Sequence, residues 1–95
     1  MSSARRAFFH PLAELEFLEA VQYYSEIDSD LGKRFVDEVE HAQAQILMFP
    51  NASRLVGGAI RRRMVNGFPY SLFYRWVEDE VRILAVGDQK RRPFY

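Results

Sequence analysis

The side chains best suited to chemistry on an anionic partner are concentrated between residues 60 and 95. One cluster is a run of three arginines that begins at Arg61, and the other is a basic run just before Tyr95. A guanidinium group is permanently charged and forms paired hydrogen bonds with phosphate, so Arg61, Arg63 or Arg91 can stabilise negative charge but would be poor bases. Proton transfer would then fall to Lys90 or Tyr95.

The distribution of charge along the chain also favours an anionic partner for this segment. Residues 1–50 carry four Lys and Arg against nine Asp and Glu, a net charge of −5, whereas residues 51–95 carry nine against four, a net charge of +5. The charges cancel over the whole chain but leave its second half basic. Such a half can attract phosphate or an acidic protein, although solvated arginines on strands would give the same composition.

Length and composition limit the class of protein. A chain of 95 residues, 48% of them hydrophobic, is expected to fold as one domain over residues 1–95 with one core. Because the chain has no cysteine, a disulfide framework and a thiolate metal site are excluded. The two histidines have no ligand-spaced neighbours, so we expect no metal and no cofactor. We also expect a cytoplasmic protein without a membrane segment.

Two helices are predicted in the acidic half. Apolar residues at three- and four-residue steps predict helix 1 from about Leu12 to Ile27, and a second helix that is capped by Ser29 or Asp30 and closed by Pro50. The short polar joint between them predicts an antiparallel hairpin. The residues expected to face the core are Ala13, Phe17, Ala20, Val21, Tyr24 and Ile27 of the first helix, and Leu31, Phe35, Val39, Ala42, Ile46 and Phe49 of the second.

Strands are predicted on either side of this hairpin. A short first strand is expected over Ala4–His10, followed after the helices by strands near Ala59–Val65, Tyr70–Val77 and Val81–Val86. The expected fold is therefore α+β, with an N-terminal strand, a helical hairpin and a three-stranded antiparallel meander that form one sheet packed on the helices. The sheet face away from the helices is partly apolar, so either the terminus packs on it or a partner docks there.

Several short strings in this order resemble the RelE/ParE superfamily of toxins from type II toxin–antitoxin modules, and the match is nearest to the ParE-like branch of plasmid stabilisation proteins. The strings are His10-Pro11, Tyr23-Tyr24, Phe49-Pro50, Ile60-Arg61, Phe68-Pro69-Tyr70, Tyr74-Arg75, Ile83-Leu84-Ala85-Val86 and Arg91-Arg92-Pro93-Phe94-Tyr95. The resemblance covers nearly the whole chain. It departs at Asp88 and Gln89, where this superfamily would place histidine.

The resemblance implies a growth-inhibiting toxin in a hetero-oligomer with a cognate antitoxin, and three functions remain open. ParE-like members poison DNA gyrase, which is the preferred reading. RelE-like members cleave messenger RNA on the ribosome. The third alternative is an inactive binding module derived from a toxin, which Asp88 in a basic tail keeps open.

Each function assigns the basic residues differently. For an RNA-cleaving enzyme the candidate catalytic residues are Arg61, Arg63, Lys90, Arg91 and Tyr95. For a protein that binds a target or an antitoxin, the candidate contacts are Arg62, Trp76, Arg92 and Phe94. For Arg61 we slightly prefer a structural role, in which it holds the tail or a carboxylate such as Asp88.

Overall fold

The computed structural model describes Ala4 and residues 6–88, which form two helices and five strands. The elements are β1 (Arg6–Phe9), α1 (Pro11–Ile27), α2 (Ser29–Met48), β2 (Arg54–Gly57), β3 (Ile60–Met64), β4 (Tyr70–Val77) and β5 (Glu80–Asp88). No helix in this part of the chain is both long enough and apolar enough to cross a membrane.

The strands form one mixed sheet in the order β1-β5-β4-β3-β2. Neighbours from β2 to β5 are antiparallel, whereas β1 lies parallel to β5 at the edge of the sheet. The two helices lie between β1 and β2 in sequence, and their apolar sides pack on one face of the sheet. The predicted α+β class and the β3-β4-β5 meander are therefore confirmed.

Each helix begins at a residue that satisfies its first free N–H groups. Pro11 occupies the first turn of α1, and Nδ1 of His10 accepts a hydrogen bond from the Leu12 N–H at 3.1 Å. Asp28 ends α1 and also caps α2, because its carboxylate accepts a hydrogen bond from the Asp30 N–H at 2.8 Å. The prediction of Ser29 or Asp30 as the second cap is wrong, since Ser29 is already helical and Asp28 supplies the acceptor.

Close approach of the two helices depends on Gly32. A Cβ atom built at Gly32 would lie 2.9 Å from Cβ and 3.0 Å from Cα of Ser25, inside normal contact distance. The absence of a side chain at this position lets α2 run directly against the end of α1.

The centre of the core is an aromatic cluster around Phe35, which is fully buried on α2. Its ring centroid lies 5.1 Å from that of Phe68, 5.3 Å from that of Tyr24 and 5.4 Å from that of Tyr70. Tilted and edge-on ring pairs of this kind stabilise the folded state by more than the burial of their surface area alone. The cluster joins both helices to β4 and to the loop before it.

Two of the predicted core residues are wrong. The other residues of the predicted helical stripes are buried or pack against the core, but Ile27 is 60% exposed and Phe49 is 51% exposed. Both lie where a helix ends, Ile27 as the last residue of α1 and Phe49 as the cap of α2. The stripe therefore leaves the sheet at these points, although the sequence spacing continues.

The sheet differs from the prediction in strand number and length. The strand β2 was not predicted, so the sheet has five described strands rather than four. β1 is shorter than Ala4–His10, while β5 extends past Val86 to Asp88. On the face away from the helices Phe73 is only 5% exposed, so the centre of that face is not an open docking surface.

Glu16 of α1 supports the sheet where β1 ends. Its carboxylate accepts a hydrogen bond from the Val86 N–H of β5 at 2.9 Å, beyond the last β1–β5 pair at Phe9 and Ile83. The side chain thus takes the place that a longer β1 would have filled.

Glu16→Ala is expected to lower the free energy of unfolding by about 1–3 kcal/mol, because it leaves the Val86 N–H without its acceptor. Glu16→Gln, which keeps an acceptor oxygen, should retain most of the stability. Urea unfolding followed by circular dichroism measures both variants. Equal stability of Glu16→Ala and the wild type would contradict this role.

Candidate functional site

Arg61 is a structural residue in this fold. It projects toward the helices from β3, where it pairs in register with Tyr74, and its guanidinium donates hydrogen bonds to the main-chain oxygens of Asn51 (3.1 Å) and Ser53 (2.7 Å). These two hydrogen bonds favour the structural role of Arg61, with main-chain carbonyl groups as its described partners. Among the described residues Arg61 holds the α2–β2 loop through carbonyl groups, and it forms no ion pair with a carboxylate.

Tyr74 holds the same loop from the next strand. Its fully buried hydroxyl donates a hydrogen bond to the Pro50 carbonyl at 2.9 Å. Burial raises the pKa of Tyr74, and the Ser53 hydroxyl and the charges of Arg61 and Arg63 oppose that rise. The Ser53 hydroxyl lies near Tyr74 but makes no hydrogen bond of good geometry within the described chain.

The raised pKa of Tyr74 predicts a loss of stability in alkali. Because the folded state holds the phenolic proton more tightly than the unfolded chain, this contribution is complete below pH 10 and is lost as pH rises through the raised pKa. Tyr74→Phe should cost about 1 kcal/mol at pH 7, where it removes one hydrogen bond, and should make the decline above pH 10 less steep. Urea unfolding at pH 7 and at several values above 10 tests this; parallel declines would contradict it.

An open basic cleft lies beside this loop, where β2 begins and β3 extends past it to Met64. Its volume is about 570 Å³, and its lining residues are His41, Ser53, Arg54, Arg62, Arg63, Met64 and Asn66. None of these described residues is a carboxylate. The side chains of the three arginines form no salt bridge and no hydrogen bond with any described residue. We call this site the arginine cleft.

The structure separates the sequence-predicted site residues. Arg62 and Arg63 line the arginine cleft, whereas Arg61 is turned to the α2–β2 loop. Trp76 packs against the core on the helix side of β4, and its buried indole N–H has no hydrogen-bond partner in the described chain. The remaining candidates lie outside the described residues; they are Lys90, Arg91, Arg92, Phe94 and Tyr95.

Five of the seven described lining residues were not among the predicted site residues, namely His41, Ser53, Arg54, Met64 and Asn66. Arg54 pairs directly with Arg62 across β2 and β3, and His41 reaches the cleft from α2. Prediction of β2 would have brought Arg54 to Arg62, since partners in an antiparallel pair share one face. The described residues include no group of three His, Asp or Glu side chains placed to hold a metal ion.

A second surface feature is an apolar stripe on the outer side of α1. Leu12, Leu15 and Leu18 are 63%, 52% and 53% exposed, and their three-residue spacing makes them neighbours on the helix surface. We call these three residues the leucine stripe. Exposed leucines in contact with one another are typical of a surface that another protein covers.

Comparison with known proteins gives the family. The sequence model of the ParE toxin of the type II toxin–antitoxin system parDE matches residues 7–93. The chain belongs to the ParE toxin family. Family membership confirms the predicted toxin class and implies an antitoxin partner.

A solved structure supports the family fold. A chain titled as the chromosomal ParDE TA system from P. aeruginosa superposes with a TM-score of 0.78 at 14% sequence identity, over 90% of this chain and 96% of that one. At this identity the similarity concerns the fold, which agrees with the ParE family. A search of curated protein sequences finds no match.

Proposed function

We propose that this ParE-family chain inhibits bacterial growth by poisoning DNA gyrase and that its antitoxin holds it inactive. The observation that carries the proposal is the ParE family match over residues 7–93. Poisoning of this kind requires a binding surface for the enzyme rather than a set of catalytic groups in the toxin.

The environment of Arg61 supports gyrase poisoning over cleavage of messenger RNA. In an RNA-cleaving site this arginine would have to stabilise charge on the phosphate. Its guanidinium is instead engaged by the carbonyl oxygens of Asn51 and Ser53. Use of Arg61 in catalysis would break two hydrogen bonds that hold the α2–β2 loop.

The direct test mixes purified toxin with gyrase, ATP and supercoiled plasmid. Poisoning predicts that linear DNA accumulates after protein denaturant is added, in proportion to the toxin, and that heat-unfolded toxin has no effect. A parallel reaction with ribosomes and messenger RNA tests the alternative. Cleaved RNA together with unaffected gyrase would overturn the proposal in favour of a ribosome-dependent endoribonuclease, and inactivity in both reactions would favour the inactive binding module.

Arg61→Lys adds an internal check on the alternative. Lysine keeps the charge but cannot form the paired contacts of a guanidinium. A nuclease that depends on Arg61 should lose orders of magnitude of cleavage while its fold persists, whereas a gyrase poison should keep its activity in proportion to the folded fraction.

We also propose that an amphipathic segment of the antitoxin covers the leucine stripe. An antitoxin helix laid on α1 would bury these side chains and would bind by coupled folding. The acidic residues Glu14, between the leucines, and Glu19, directly after Leu18, are exposed and would remain at the rim.

Leu15→Glu tests the position of the antitoxin. A charge at the centre of an apolar contact should weaken binding by at least about a hundredfold, measured by calorimetry with the product of the adjacent small open reading frame. Leu55→Glu is the matched control, since Leu55 is 51% exposed on β2. This strand lies at the sheet edge opposite β1, whereas α1 contacts β5 and β1. Unchanged binding by Leu15→Glu, or equal loss in both variants, would move the contact elsewhere.

A further inference from the structure

The arginine cleft brings together like charges, which repel each other when no anion is bound. Arg54 and Arg62 are directly opposite each other on β2 and β3, and Arg63 follows in the same cleft. Like charges in directly opposite positions of a strand pair repel each other. None of the described lining residues is a carboxylate that could offset the repulsion, and an anion bound in the cleft would relieve it.

The other lining groups indicate what kind of anion fits. Asn66 supplies an exposed amide, which like arginine is a group that contacts phosphate oxygens in nucleic-acid complexes, whereas the Ser53 hydroxyl is buried beside Tyr74. The described lining includes no Phe, Tyr or Trp side chain, which would be the strongest platform for a stacked base. These features favour contact with a sugar–phosphate backbone without readout of sequence.

We propose that the arginine cleft binds the phosphate backbone of DNA. The inference deepens the proposed function and rests on it for its setting, because gyrase is an enzyme that holds DNA while it acts. In this arrangement the toxin contacts the DNA as well as the protein of its target. The cleft lies at the β2–β3 edge, opposite the edge formed by β1 in the sheet order.

The chain contains a matched pair of arginines outside the cleft. Arg75 and Arg82 are directly opposite each other on β4 and β5, and both are exposed. Arg82 also lies 3.8 Å from a Glu80 oxygen, so its charge is partly balanced. Removal of this pair changes the net charge by the same amount as removal of Arg54 and Arg62.

The test measures binding of purified toxin to a fluorescein-labelled 20-base-pair duplex by fluorescence anisotropy, without gyrase, at several salt concentrations. Arg54→Gln with Arg62→Gln should weaken binding about tenfold or more and should reduce the salt slope by about two, because each arginine neutralises one phosphate. Arg75→Gln with Arg82→Gln should leave affinity within about threefold. The single variant Arg54→Gln should lose an intermediate amount of affinity. Because Arg54 is exposed on the edge strand, this variant keeps the test valid if the double variant folds poorly.

Three outcomes would overturn the proposal. One is wild-type protein that does not bind the duplex, and another is equal weakening by the two double variants, which would assign binding to overall charge. The third is a glutamate-rich 20-residue peptide that binds the cleft more tightly than the duplex, which would assign it to acidic protein segments. Gyrase is absent from this binding assay. A negative result would therefore overturn DNA binding by the cleft, while gyrase poisoning is judged by the linear-DNA reaction alone.

Discussion

Phe35→Ala is expected to lower the free energy of unfolding by about 3–5 kcal/mol, a large share of the roughly 5–15 kcal/mol that holds a domain folded. Phe35 of α2 is fully buried, and its ring contacts rings of α1, of β4 and of the loop before β4. Its loss removes the transfer free energy of a large side chain and leaves a cavity among rings that cannot all move inward.

Urea unfolding, followed through the single tryptophan and by circular dichroism, measures the effect. Phe8→Ala is the control with the same chemical change, because Phe8 is 45% exposed on the edge strand β1. Its cost should stay near or below about 1 kcal/mol. Equal costs at the two positions would mean that the aromatic cluster is not the centre of the core.

Gly32→Ala is expected to destabilise the protein by about 2–3 kcal/mol, although alanine is the better helix former by about 1 kcal/mol. The added methyl group would lie 2.9 Å from Cβ of Ser25, so α1 and α2 would have to separate. Separation of the helices weakens every contact along the hairpin, which is why the clash outweighs the helix propensity.

A second substitution tests the cause of this loss. Ser25→Gly removes the atoms that the new methyl group meets first, so the double variant should be more stable than the sum of the two single costs predicts. Thermal unfolding of the wild type and the three variants completes the cycle. A stabilising effect of Gly32→Ala, or additive costs, would exclude the close contact as the explanation.

The helices and the long strands were predictable because apolar residues recur along each of them with a regular period. The four- and three-residue steps from Phe35 to Val39 and Ala42 in α2 and the alternation along β4 persist in the structure, and β4 has the predicted ends. Burial on one face imposes these periods, so they remain visible in the sequence. Ile27 and Phe49 fail because sequence spacing carries no mark of where a helix leaves its partner.

The strand β2 could not be predicted because it has neither length nor alternation. Its four residues include one glycine, and Leu55 is exposed. Its place in the sheet comes from pairing with β3 across a tight turn in which Gly58 has a φ of 55°. That pairing is a tertiary property, and a short strand of this kind leaves little local signal.

The grouping of the cleft residues could not be predicted in the same region, for the same reason. The three consecutive arginines were visible, yet their separation into Arg61 on the loop and Arg62 and Arg63 in the cleft depends on the position of the α2–β2 loop. Without β2, Arg54 had no neighbour in space. The leucine stripe was not predicted either, because the apolar spacing in α1 identifies the side of the helix that packs on the sheet.

The hydrogen bond from the Val86 N–H to Glu16 also affects how separate molecules meet. Beyond Ile83, no strand in the described part of the chain covers the outer edge of β5, and such an edge is a template for a strand of another copy. A carboxylate seated on that edge occupies one donor and brings negative charge to it, so an incoming strand meets a blocked site. We therefore expect Glu16 to hinder the addition of a strand at this edge, and Glu16→Ala to aggregate at a lower protein concentration than the wild type.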